Sequence, residues 1–145
     1  MKTLLLIFLL LFPLSAWANV EEFFAELNRL PATERQQRLI EGAKKEGEVM
    51  LYSSSGIEEI RAITKLFGKK YPFLKARFMR KGGSQLFNVS FMEFKGQKPI
   101  VDVYWAGVST LGPILKEQKN MLARYLSPER APIAGEYKDR GGYWT

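Results

Sequence analysis

The sequence predicts an α/β fold built on a parallel sheet. Three segments with the pattern of a strand each lead into a short polar loop and then into a segment of helical periodicity. Strands that alternate with helices favour a parallel sheet with right-handed crossovers. With 145 residues, 46% of them hydrophobic, the chain is long enough for one compact domain with a core. The predicted strands are residues 49–52, 74–78 and 100–105.

The first 18 residues have the composition of a secretory signal peptide. Lys2 precedes an apolar run over residues 4–12, and the A-W-A that ends at Ala18 matches a cleavage site. Cleavage there would start the mature chain at Asn19, and the lack of a twin arginine favours the Sec route. The run is short for a membrane span, so an uncleaved anchor is the less favoured alternative. We therefore expect an exported protein located in the periplasm.

Residues 19–46 are predicted to form a helical segment. Apolar residues recur at helical spacing from Val20 to Leu30, and Pro31 separates this helix from a second one. Thr33 with Gln36 fits a capping box at the start of the second helix, and Gly47 is well placed to end it. Both helices are interpreted as scaffold that packs against the sheet.

The first strand–loop–helix unit extends from Gly47 to about Tyr71. Its strand ends in the loop Ser53-Ser54-Ser55-Gly56, and Ser55 with Glu58 fits a capping box for the next helix. Such a junction presents free backbone N–H groups and the positive end of a helix dipole, which suits an anion or polar ligand. An ordinary strand–turn–helix corner has the same pattern. The apolar face of the helix is predicted to comprise Ile57, Ile60, Ile63, Thr64 and Phe67, and Pro72 to stop it.

Two further units follow. The second passes from its strand through Gly82-Gly83-Ser84 into a helix over about 85–94. The third passes through a loop over 106–109, which includes Ala106 and Gly107, into a short helix over about 110–118. Residues 121–127 are then predicted to hold one short extended piece, and residues 128–145 are rich in turns.

The three loops are predicted to share one edge of the sheet. With strand order 2-1-3, the order reverses between the first and third strands, and open parallel sheets bind ligands beside such a reversal. Glycine lets the backbone approach a ligand closely, and a serine hydroxyl both donates and accepts hydrogen bonds. This pattern favours a polar crevice, although Gly82-Gly83 also fits a plain turn. Tyr104 and Trp105 are more typical of a core than of ligand contacts.

The residue types that are missing exclude several functions. The chain has no cysteine and no histidine, which removes thiol nucleophiles, disulfides, Cys/His zinc sites, His-based triads and lipoprotein anchors. No acidic group has the spacing of a known metal or acid/base site, and no glycine-rich nucleotide motif occurs. Lys and Arg number 22 against 15 Asp and Glu, but they are scattered, as on a solvated surface. We therefore predict no cofactor, no metal and no nucleic-acid partner.

Four stretches resemble the amino-terminal part of bacterial extracellular solute-binding proteins. They are LPATERQQRLIEGAKKEGEVMLYSS, KKYPFLKARFMRKGGSQL, PIVDVYWAG and GGYWT, and they cover essentially the whole mature chain in order. The resemblance is to the periplasmic receptors of ABC importers, in the type II superfamily that includes ferric-iron and thiamine binders. It implies two α/β lobes joined by a hinge with solute trapped between them. Residues 47–145 would then be an incomplete first lobe, and the sequence would be part of a longer protein.

The resemblance also implies a function and a set of ligand-facing positions. We expect a non-catalytic, monomeric receptor that delivers a small anion or organic solute to an inner-membrane permease. Ferric-iron members often place a histidine in the first loop, where this chain has serines, so iron is not favoured. A periplasmic enzyme, a non-functional half-receptor and a protein that binds anionic surfaces through its basic charge are the alternatives. The implied solute-binding residues are Ser53, Ser54, Ser55, Gly83, Ser84, Ala106 and Gly107.

Overall fold

The computed structural model describes residues 20–117 and 121–144, which form a mixed α/β fold. The predicted signal peptide, residues 1–18, lies outside the described residues. The elements are α1 (Val20–Arg29), α2 (Ala32–Glu46), β1 (Glu48–Ser53), α3 (Ile57–Lys70), β2 (Lys75–Arg80), α4 (Gly83–Lys95), β3 (Val103–Trp105), α5 (Val108–Glu117) and 3₁₀ turns at Pro128–Arg130 and Gly135–Tyr137.

The predicted sheet topology is confirmed. The three strands are all parallel and lie in the order β2-β1-β3. The register pairs Ser53 of β1 with Arg80 of β2 on one side and with Trp105 of β3 on the other. The carboxyl ends of the three strands are therefore level, and the sheet order reverses between β1 and β3.

One face of the sheet is covered by α4. Tyr52, Met79 and Tyr104 are paired across the three strands and so share this face. The Tyr52 hydroxyl donates to Oε1 of Glu93 in α4 at 2.5 Å, and the rings of Tyr52 and Tyr104 meet edge to face at 6.0 Å. Leu86 and Ser90 complete the buried side of the helix.

The opposite face of the sheet is only partly covered. Leu51 lies there, paired with Phe78 and Val103, and Trp105 lies two residues further along β3. Phe78 is 37% exposed, Val103 49% and Trp105 37%. The same incompleteness affects α3, where Ile60 is buried but Ile63, predicted to face inward, is 47% exposed.

Two predicted helix caps are wrong. Helix α3 begins after Gly56, whose N–H donates to Oε2 of Glu59 at 3.2 Å, while Glu58 pairs with Arg61 at 3.1 Å. The cap is therefore Gly56, one residue later than the predicted Ser55. Gly56 adopts the extended backbone of a capping residue, and because it has no side chain, the side-chain contact at this cap comes from the Glu59 carboxylate. Helix α2 begins directly after Pro31 with no side-chain cap, so Thr33 and Gln36 form no capping box.

The other helix boundaries follow from local backbone bonds. Gly47 ends α2 as predicted, in the left-handed conformation (φ +76°), and its N–H donates to the Ala43 carbonyl at 2.9 Å. Helices α4 and α5 begin about two residues earlier than predicted. The carbonyls of Gly82 and Gly107 accept from the N–H groups four residues later and so start each helix.

Strand β3 is half as long as predicted. The N–H of Ile100 donates to Oε2 of Glu93 at 3.2 Å, which ties this segment to α4 instead of the sheet. Next along the chain, the Asp102 carboxylate accepts the Met50 N–H at 2.7 Å, where a strand would offer a carbonyl. The Asp102 N–H still donates to the Met50 carbonyl at 3.0 Å, but the regular strand begins at Val103.

The segment after α5 packs against α1. Arg124 N–H donates to Glu21, and the Tyr125 ring lies 4.7 Å from the Phe24 ring. Residues 121–127, predicted to hold a short extended piece, join no sheet, and their hydrogen bonds go to Glu21 and Asn28 of α1 and to the Gly142 carbonyl. The predicted turns after residue 128 are present as the two 3₁₀ turns.

Candidate functional site

The candidate site lies at the carboxyl edge of the sheet, where three strands end side by side. After β1, β2 and β3 the chain enters α3, α4 and α5 within two or three residues. The first turn of a helix has backbone N–H groups without helical partners and carries a partial positive charge. The first turns of α3, α4 and α5 therefore lie at the same edge of the sheet.

Hydrogen bonds join the first and third loops directly. The Ser53 hydroxyl donates to the Trp105 carbonyl at 2.6 Å and accepts the Ser55 N–H at 3.1 Å. Gly107 N–H donates to the Ser54 hydroxyl at 3.4 Å. The loops that the sequence predicts to face each other across the reversal of strand order are thus in contact.

The second loop reaches the first through Arg80 and Lys81. Arg80 Nε donates to the Ser55 carbonyl at 2.8 Å, and Lys81 N–H donates to the Ser53 carbonyl at 3.3 Å. Within residues 20–117 and 121–144, Arg80 forms no ion pair with an acidic side chain. A guanidinium is therefore fixed at this edge with its charge unpaired in the described part of the chain.

The seven predicted residues occupy different chemical settings at this edge. Ser53 is fully buried, and its hydroxyl is committed to two backbone partners, so it positions the loops. Ser54 accepts one hydrogen bond and keeps its own hydroxyl proton to donate. Ser55 and Ala106 are half-buried, and Gly107 is exposed. Gly83 and Ser84 form the first turn of α4, where Gly83 is half-buried and Ser84 exposed.

Charge distinguishes the first turns of α3 and α4. Glu58 and Glu59 lie in the first turn of α3 and already compensate its dipole. The first turn of α4 has no acidic residue and no side-chain cap, and Arg80 and Lys81 precede it. The first turn of α4 therefore carries positive charge that no acidic residue of its own compensates, unlike that of α3, and it suits an anionic group.

Helix α5 contributes a buried hydroxyl that the sequence reasoning did not single out. Thr110 lies in its first turn and is fully buried. Its Oγ1 has no hydrogen-bond partner among the described residues. A threonine in the first turn of a helix is common, so the sequence carries no signal for this feature.

The sequence reasoning also missed Glu93, which joins α4 to the sheet behind the carboxyl edge. Glu93 accepts from Tyr52 and from Ile100 N–H. Burial of the ring, together with the bond to Glu93, raises the pKa of Tyr52 above its usual value. Burial likewise raises the pKa of Tyr104, which also feels the Glu93 charge. The available signal was helical spacing, since Glu93 follows the buried Leu86 and Ser90 by seven and three residues on one face of α4.

Two cavities lie away from the edge. One, of about 510 Å³, is formed by residues 126–140, and the other, of about 680 Å³, follows α2 from Ala32 to Lys44. No group of three or more acidic side chains capable of holding a metal ion occurs in residues 20–117 and 121–144. In the same residues, no helix is long and apolar enough to cross a membrane.

The fold and the edge define an α/β protein with a small open parallel sheet and a polar, helix-lined carboxyl end. No protein-family model matches the chain, and no curated protein is detectably similar to it.

Proposed function

We propose that this chain is the first lobe of an exported solute-binding protein that serves an ABC importer. In this proposal a small anion or polar organic solute binds at the carboxyl edge of the sheet. A second lobe closes over it, and the receptor delivers it to an inner-membrane permease. The observation that carries the proposal is the contact of the first loop with both of the others, beside three helix amino termini.

The proposed binding chemistry uses backbone and hydroxyl groups. The free N–H groups of Gly83 and Ser84, with the exposed Ser84 hydroxyl, would hold an anionic or polar oxygen of the solute. Ser54 would donate from the first loop, and Ser53 would keep the first and third loops together. Gly107 offers an exposed backbone at the same edge. The hinge closure of two lobes would then exclude water from the solute.

A non-catalytic role is proposed because of what the edge hydroxyls contact. The hydrogen bonds of Ser53 and Ser54 go to backbone groups, and no general base lies within hydrogen-bonding distance of them in the described residues. Nucleophilic serine chemistry needs such a base to take the proton. The proposed location is the periplasm, after cleavage of the signal peptide.

The proposal is tested by solute binding to the full chain. A panel of small carboxylates, oxyanions and neutral polar solutes is titrated by calorimetry into the native protein and into Ser84→Ala and Ser54→Ala. We expect saturable 1:1 binding of one solute class and a loss of about three- to tenfold in affinity in Ser84→Ala, the value of one hydrogen bond. Thr33→Ala on α2, far along the chain from the edge, is the matched control.

Two results would count against the proposal. Binding that disappears with moderate salt but is unchanged in both serine variants would favour the alternative of a protein that binds anionic surfaces. Turnover of a bound solute would favour the alternative of a periplasmic enzyme.

A further inference from the structure

We propose a second anion site, separate from the crevice, in the cavity formed by residues 126–140. Its ligand is a small oxyanion, such as a carboxylate or phosphate group, held by Arg130, Lys138 and Arg140. The cavity measures about 510 Å³, enough for a small organic acid, and Leu126 and Gly135 contribute to its wall.

The first observation is a guanidinium with incomplete hydrogen bonding. Arg130 Nη2 donates to the Asp139 carbonyl, but Nη1 is buried and has no acceptor among the described residues. An arginine cannot avoid this cost by losing its proton, since the guanidinium group is too basic to be neutral in a protein. A charged donor left without an acceptor in a folded protein calls for a water or an ion beside it.

The second observation is an excess of positive charge among the side chains that line the cavity. Arg130, Lys138 and Arg140 line it against one carboxylate, that of Asp139. In the part of the chain that the structure describes, none of the three cations forms an ion pair. Lys138 Nζ donates to the Arg130 carbonyl at 3.0 Å, which places its charge near the guanidinium without neutralising it.

The Asp139 carboxylate is occupied by the turn that follows it. Its Oδ2 accepts the Tyr143 N–H at 3.0 Å. This bond, with that from Gly141, holds the pKa of Asp139 below its usual value, so the group is ionised at neutral pH. The Arg130 charge also lowers this pKa, so Asp139 offsets part of the cluster, and one carboxylate against three cations in the cavity wall leaves a net positive charge.

An oxyanion accounts for both observations, whereas a water accounts for only the first. An anion in the cavity would give Arg130 the acceptor it lacks and would balance the charge of Lys138 and Arg140. Because Nη1 has almost no exposed surface, the guanidinium must rotate toward the cavity for the contact to form.

The test follows backbone amide resonances of the full chain during titration with inorganic phosphate and, separately, with succinate, at constant ionic strength in chloride. We expect saturating shifts for amides of residues 126–143, with Kd raised about tenfold in Arg130→Gln, the effect of a lost charged hydrogen bond. Arg38→Gln, at an exposed arginine on α2 that lines neither cavity, is the matched control and should leave Kd unchanged.

A second variant keeps the test valid if Arg130→Gln does not fold. Arg140 is exposed, so Arg140→Gln should fold normally and raise Kd about threefold. The proposal is overturned if the shifts fail to saturate or are confined to the amides of residues 81–84. It is overturned equally if neither substitution alters Kd. Saturation by one of the two anions alone would support the site and identify which oxyanion group it takes.

Discussion

Single side chains at the carboxyl edge divide into those that build the edge and those that remain available to a ligand. Ser53 belongs to the first group, because it is buried and its hydroxyl joins two loops. Ser84 belongs to the second, because it is exposed in an uncapped first turn. The sequence presents both as loop serines, so their different roles depend on the register that places Ser53 beside Trp105.

Replacing Ser53 should therefore destabilise the fold. We expect Ser53→Ala to lower the free energy of unfolding by about 1–3 kcal/mol, since the Trp105 carbonyl and the Ser55 N–H lose a buried partner. Urea unfolding followed by circular dichroism measures the change. Ser84→Ala removes an exposed hydroxyl and should stay within about 0.5 kcal/mol of the native protein. Equal stability of Ser53→Ala and the native chain would contradict the positioning role.

Replacing Thr110 should have the opposite effect on the free energy of unfolding. Its buried hydroxyl has no partner in the described residues, so Thr110→Val removes an unsatisfied polar group and keeps the shape of the side chain. We expect the free energy of unfolding to stay level or to rise by up to about 1 kcal/mol. Thr64→Val is the matched control, since the Thr64 hydroxyl donates to the Ile60 carbonyl at 2.8 Å and should gain nothing. Clear destabilisation by Thr110→Val alone would mean that the hydroxyl has a partner.

Among the elements, α4 is joined to the sheet by a polar contact. Glu93 connects the helix to Tyr52 on β1 and to the segment before β3. This contact sets the length of β3 and holds the helix whose amino terminus enters the candidate site. The amino terminus of α4, which presents free N–H groups at the candidate site, is thus held in place by the hydrogen bonds of Glu93 near the carboxyl end of the same helix.

The raised pKa of Tyr52 gives this anchor a measurable pH dependence. Above the ordinary tyrosine pKa of 10.0 the unfolded chain ionises while the buried hydroxyl stays protonated. Stability is therefore fully present below that pH and falls as the pH rises above it. We expect this alkaline loss to be smaller in Tyr52→Phe, although the variant is less stable at neutral pH. Unfolding curves at pH 8 and pH 11 measure both effects, and an identical alkaline loss in the two proteins would contradict the assignment.

The sequence was sufficient to predict the elements and their order but not their ends. Three strand–loop–helix units, the order β2-β1-β3 and the grouping of the three loops follow from periodicity and topology alone. The caps at Ser55 and Thr33 were wrong because a serine or threonine pattern does not tell which residue adopts the capping backbone. Strand β3 is shorter than predicted because the carboxylates of Glu93 and Asp102 accept backbone N–H groups at its start. The alternation of apolar and polar residues does not indicate such side-chain contacts.

For the candidate site, the residue types were predictable and the charges were not. Serine and glycine residues that follow a predicted strand can be recognised from the sequence alone. Arg80 becomes a component of the edge only because β2 pairs with β1 in a register that brings its guanidinium to the Ser55 carbonyl. The basic cluster around Arg130 likewise requires the turn at Asp139 to fold back, and no local pattern predicts that contact.

Considered as a whole, the molecule has a small core and a large exposed apolar surface. Among the described residues, five apolar side chains are fully buried: Leu27, Tyr52, Ile60, Leu86 and Ile114. Phe78, Val103 and Trp105 remain partly exposed on one face of the sheet, and the outer edge of β3 has no neighbouring strand in the described chain. Exposed apolar patches and open strand edges are typical of surfaces that another structural element covers. The proposed second lobe is consistent with such a cover.

This surface predicts that the chain by itself is only marginally stable. Because little apolar area is withdrawn from water, we expect a broad thermal transition and strong binding of a hydrophobic dye at neutral pH. Differential scanning calorimetry with a parallel dye titration measures both. Val103→Thr should reduce dye binding with little change in the transition, since the Val103 side chain is half exposed. A sharp two-state transition without dye binding would mean that the described elements already form a complete fold, and the proposed role as one lobe of a larger receptor would lose its structural basis.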